Sequence, residues 1–105
     1  MQTTTQKPSP TLEANQAIKT ALLQVARLND MSQDWKRASE QYQKLSEDYP
    51  EDPFILEALA RVQKKLGWNE RWTSSMLKAK QAYQKLGMLR KVEIIESKLA
   101  PGAAV

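Results

Sequence analysis

The chain has 105 residues, enough for one domain with a thin core. It holds no cysteine and no histidine, which excludes disulfides, thiolate and imidazole metal sites, and the commonest nucleophilic and general-base side chains. The net charge of +4 is uneven: residues 1–52 sum to −2 and residues 53–105 to +6, with nine basic residues and one acid, Glu70, between Arg61 and Lys91.

In chain order, residues 1–10 read as a flexible arm kept extended by Pro8 and Pro10. Met1–Thr11 has no apolar run and so does not read as a secretory signal; cytoplasmic residence is the expectation. Thr11 suits the N-cap of a first helix to about Asn29, along which Ile18, Leu22, Val25 and Asn29 recur at spacings of 4, 3 and 4, with Ala26 beside them. Asn29 to Ser32 reads as a turn, with Ser32 capping a second helix. That helix carries Trp35, Ala38, Tyr42, Leu45 and Tyr49 on one stripe and ends before Pro50.

Asp52-Pro53 is an N-cap followed by proline at the first helical position. The third helix, about 53–66, has Ile55, Leu59, Val62 and Leu66 on one stripe with Leu56 and Ala60 beside it. So wide an apolar surface calls for packing on more than one side. Gly67 suits a left-handed C-terminal cap. A fourth helix, about 69–86, carries Trp72, Met76, Ala79, Tyr83 and Leu86, and Gly87 ends it. A fifth, about 88–99, carries Met88, Val92, Ile95 and Leu99 before Pro101-Gly102 stops it, leaving residues 101–105 as a short tail. The expected fold is all-α: about five antiparallel helices in one domain over residues 11–100, with no membrane span.

The segment Tyr42-Gln43-Lys44-Leu45 recurs as Tyr83-Gln84-Lys85-Leu86, and Ala38 is matched by Ala79. Self-similarity over a few tens of residues marks a helical repeat. Ala38, Tyr42, Leu45 and Pro50 carry the spacing of the second helix of a tetratricopeptide unit, which this segment resembles; Leu22, Val25 and Ala26 then suit its first helix, while Asn29 departs from the usual aromatic. Leu56, Leu59 and Ala60 fit the first helix of a second unit. The Ala79–Tyr83–Leu86 trio arrives 41 residues after its first copy, which calls for about two extra helical turns. The resemblance implies TPR-like hairpins over roughly residues 19–99, with the last helix as a cap, and a non-catalytic adaptor holding a segment of a partner protein. The family's clamp for chaperone-peptide carboxylates is absent, because the matching positions hold Leu23, Arg27, Glu57 and Arg61.

Trp35 and Trp72 lie on apolar stripes and read as core; Trp68 lies in a turn, off any stripe, and is the best single residue for partner contact. Arg71, Lys78 and Lys85 recur every seven residues on one flank of the fourth helix, and Arg61, Lys64 and Lys65 form the polar side of the third. These seven residues are the candidate partner-binding set, weighed against the plain reading of a solvated face. The alternative function is nucleic-acid binding through the basic surface of residues 61–91. A third reading is a subunit that completes its fold within a homo-oligomer. No catalytic residue, cofactor or metal site is expected: the acids Glu47, Asp48, Glu51 and Asp52 around Pro50 lack the Asp/Asn ladder and glycine of a calcium loop.

Overall fold

A computed structural model describes residues 11–100; the arm expected over 1–10 and the tail over 101–105, with its Pro101-Gly102 stop, lie outside the described residues. Five helices, α1 Leu12–Met31, α2 Trp35–Asp48, α3 Pro53–Lys65, α4 Asn69–Lys85 and α5 Leu89–Leu99, form an all-α fold with no strand among the described residues. No helix among them is long and apolar enough to cross a membrane.

Each helix packs against the next in sequence, and α3 belongs to two cores at once. Ile55, Leu59 and Val62 join Ala26 of α1 and Ala38, Tyr42 and Leu45 of α2; Leu56 and Ala60 join Met76, Ala79, Ala82 and Tyr83 of α4 and Val92 and Ile95 of α5. The wide apolar surface of α3 is thus divided between two neighbours. Trp35 and Trp72 are half-buried at the edges of the two cores.

Two ion pairs tie α1 to α3. Lys19 reaches Asp52 at the start of α3, and Asp30 takes Arg61 near its end at 2.5 Å. Early meets early and late meets late, so these two helices run in the same sense. Asp52 also caps α3, accepting from the Phe54 and Ile55 N–H groups at 2.9 and 3.3 Å, with Pro53 at the position where a missing N–H costs nothing.

Three of the four connections are the same turn. Gln33, Gly67 and Gly87 stand at φ of 65°, 78° and 72°, each followed by a residue near φ −87°, ψ 72° that begins the next helix. The N–H groups of Asp34, Trp68 and Met88 donate to the carbonyls of Asn29, Gln63 and Tyr83, five residues back, at 2.9 Å each. This is the bond that closes a helix whose next residue is left-handed. Gln33 and Gly67 are 34 residues apart, as are the paired polar positions that cross each hairpin: Asn29 donates to Gln41 at 2.7 Å, and Ser75 donates to Gln63 at 2.8 Å.

Four readings from the sequence need correction. Helix α1 runs on to Met31, so Asn29 to Met31 are helical and Ser32 bonds back to the Leu28 carbonyl at 2.7 Å; Asp34 is the N-cap of α2. The two extra turns of the second unit are absent, since α4 has 17 residues against 14 in α2. In the 34-residue frame Ala79 and Tyr83 take the places of Leu45 and Tyr49, and Leu86, expected to match the buried Leu45, is 58% exposed beside the Gly87 turn. Ile18, Leu22 and Val25 of the expected α1 stripe face outward, and Lys19, Leu23, Ala26 and Asp30, one residue further round, face inward.

A Cβ added at Gly67 or Gly87 meets nothing within 4 Å, so only the positive φ opposes a side chain. Gly67→Ala and Gly87→Ala should each cost about 1 kcal/mol, and Gln33→Gly should add roughly 0.5–1 kcal/mol, read as midpoint shifts in urea unfolding.

Candidate functional site

Two cores on either side of α3 leave a third side uncovered, and it forms the floor of an open groove of about 820 Å³. Glu57, Ala58, Arg61, Lys64 and Lys65 of α3 face it, with Leu23 and Arg27 of α1 on one wall. Trp72 and Met76 of α4 and Ser97 and Lys98 of α5 make the other wall, and Phe54 closes one end.

Its chemistry is a mostly charged floor between walls that carry the apolar side chains Leu23, Trp72 and Met76. Phe54 meets the buried Tyr83 ring edge to face, centroids 5.7 Å apart, while remaining 57% exposed. The Lys64 ammonium sits 4.2 Å from the centre of the Trp72 ring, which holds both side chains at the groove wall. The five cations lining the groove are Arg27, Arg61, Lys64, Lys65 and Lys98; the one acid among its lining residues is Glu57. Asp30 partly offsets Arg61, and Glu57 accepts a hydrogen bond from the Tyr83 hydroxyl.

Beneath the groove two buried tyrosines anchor the first helix of each hairpin. Tyr42 of α2 donates to Asp30 at 3.5 Å, beside Arg61, and Tyr83 of α4 reaches Glu57. Burial raises the pKa of both hydroxyls above the ordinary tyrosine value, aided by the Asp30 charge at Tyr42 and by the hydrogen bond to Glu57 at Tyr83.

Of the seven candidate residues, Arg61, Lys64 and Lys65 line the groove together. Arg71, Lys78 and Lys85 do not. Lys78 stands two residues from Met76, about 160° round α4 from it. Lys85 is exposed and pairs with Glu51 at 3.1 Å. Arg71 stacks on Trp68 at 4.7 Å in a separate shallow cleft bordered by Lys36, Glu40 and Gln63. Trp68 is therefore half-buried, at the N-cap of α4, and away from the groove. The basic set read along 61–91 is divided between two sides of the molecule.

Sequence reasoning passed over Arg27, Lys98, Phe54, Trp72 and Met76 as groove residues. One signal was present: Arg27 and Arg61 are 34 residues apart, as are Leu23 and Glu57, so successive first helices present the same positions to the groove. Three of the acids around Pro50 have partners. Asp52 caps α3 and pairs with Lys19, Glu51 takes Lys85, and Glu47 accepts from Gln43 at 3.1 Å.

No protein-family model, curated protein or solved structure matches this chain.

A tyrosine whose folded pKa is raised keeps its proton longer in the native state than in the unfolded one. Its contribution is therefore complete below pH 10 and is lost as pH climbs above it. Thermal melts from pH 8 to pH 11.5 should show falling stability above about pH 10. Tyr83→Phe should melt lower at neutral pH, by about 1 kcal/mol for the lost hydrogen bond, yet fall less steeply in the alkaline range. An unchanged alkaline slope would contradict this assignment.

Proposed function

We propose that the chain is a non-catalytic binding module of tetratricopeptide-like build, an adaptor whose groove holds an acidic segment of a partner protein. The observation that carries this reading is the meeting of apolar side chains from α1 and α4 with five cations in one groove along the exposed side of α3. Leu23, Ala58, Trp72 and Met76 offer apolar contact, which supplies affinity; Arg27, Lys64, Lys65 and Lys98 favour Asp and Glu side chains, which speeds encounter and sets register. The groove's carboxylate, Glu57, is committed to Tyr83, and no nucleophilic thiol or imidazole exists in the chain. That composition suits holding a ligand rather than transforming it.

The 34-residue recurrence of turn and cross-hairpin bond supports the family likeness, since it places Arg27 and Arg61 in register along the groove. The nucleic-acid alternative loses its basis in a single basic surface. Arg71, Lys78 and Lys85 stand away from the groove cations, and Lys85 pairs with Glu51.

The test is selection from a random peptide display library, followed by anisotropy titration of the recovered peptides. Acidic peptides with interspersed aromatic or aliphatic residues are expected. Arg27→Glu with Lys64→Glu should weaken their binding at least about tenfold, a change of roughly 1.4 kcal/mol. Lys78→Glu with Lys85→Glu should leave it within about twofold, as expected for charges off the contact surface. Equal binding of single-stranded DNA, lost in the Lys78/Lys85 variant, would overturn the reading in favour of nucleic acid.

A further inference from the structure

Among the described residues, helix α1 is packed on one side only. Its charged residues are Glu13, Lys19, Arg27 and Asp30. Lys19 and Asp30 are spent on α3, and Arg27 lines the groove. On another side Ile18, Leu22, Val25 and Leu28 are 50%, 43%, 47% and 61% exposed. With Ala14, Ala17 and Ala21 they span an arc of about 140° that holds no charged side chain.

The same positions are covered elsewhere in this chain. Ala21, Val25 and Leu28 correspond, 34 residues on, to Ile55, Leu59 and Val62 of α3. Those three are 0%, 3% and 0% exposed because Ala38, Tyr42 and Leu45 of the preceding helix lie over them. This face of α1 therefore has the form of a helix-packing face that none of the described residues covers.

We propose that this face of α1 is covered by α1 of a second copy, in an antiparallel pair about a two-fold axis between Ala21 and Leu22. In that register Ile18 meets the second copy's Val25, Ala21 meets its Leu22, and Leu28 lies over its Ala14 and Asn15. Ile18 and Val25 meet as two branched side chains, Leu22 and Leu28 meet small or polar ones, and no charge enters the contact. A self-complementary patch of this kind is what a two-fold interface requires.

The size agrees with a modest dimer. A 20-residue helix is about 30 Å long and 10–12 Å across, so the contact covers several hundred Å² per copy. Two copies together bury less than the roughly 1,200 Å² at which stable interfaces begin, so the contact is a weak, reversible one. It is also as large as the apolar patches that monomers leave bare for a purpose. Leu23 and Arg27 stand on the other side of α1, so pairing leaves the groove open.

Sedimentation velocity of the full chain from roughly 1 to 100 μM tests this by mass action. The mass should double across that range, and Val25→Glu with Leu28→Glu should hold it at one copy with an unchanged helical circular dichroism spectrum. The chain has no cysteine, so Ala21→Cys supplies the only thiol. Mild oxidation should join two copies through it, whereas Leu77→Cys on α4 should not cross-link. A wild-type monomer at all concentrations, a dimer that survives the double substitution, or no cross-link at position 21 would each overturn the proposal.

Discussion

Everything in this molecule depends on α3 being buried on two sides. Ile55, Leu59 and Val62 close one core, and Leu56 and Ala60 close the other. A 13-residue helix has room for little else, and what remains is one polar stripe of Glu57, Arg61 and Lys64. That stripe has nowhere to point except away from both cores. The groove is thus the direct consequence of sandwiching one helix between two hairpin partners, and its basic character follows from which residues were left over.

Polar contacts then fix the angle at which the walls stand. Lys19–Asp52 and Asp30–Arg61 hold α1 alongside α3 at both ends, and Tyr83–Glu57 pins α4 to α3 from below. Each tie is only partly shielded from water, so its contribution to stability is small, about 1 kcal/mol or less for the exposed ones. Their effect is on direction. Hydrophobic packing brings the helices together without specifying rotation, whereas a carboxylate that must reach one hydroxyl or one guanidinium does specify it.

The helices and their order were legible because period, caps and turn residues agreed. Asp52-Pro53, Gly67 and Gly87 each act where expected. Two boundaries were misread for the same physical reason. The turn after α1 uses Gln33 rather than glycine at positive φ, so the more familiar turn formers Asn29 and Ser32 drew attention to the wrong place. The α1 stripe was misread by one residue because periodicity finds apolar faces but cannot say whether a neighbour exists to cover them. Ile18, Leu22 and Val25 form the more apolar face, yet ion pairs to Asp52 and Arg61 turn the face of Lys19 and Asp30 inward. The groove was half legible: its α3 cations were found, but a linear count of positive charge joined them to the α4 flank, which a helical turn sends elsewhere. The offset from Arg27 to Arg61 carries the spatial grouping that charge density along the chain does not.

The most direct measurement is an amide and indole chemical-shift map of the isotope-labelled protein titrated with an acid-rich peptide. Shifts gathered on Ala58, Arg61, Lys64 and the Trp72 indole, with Lys78 and Lys85 unmoved, are the expected result for a ligand held along the exposed side of α3. Shifts running along Arg71, Lys78 and Lys85 while the Trp72 indole stays in place would contradict it, and would put the binding surface on the opposite side of the molecule.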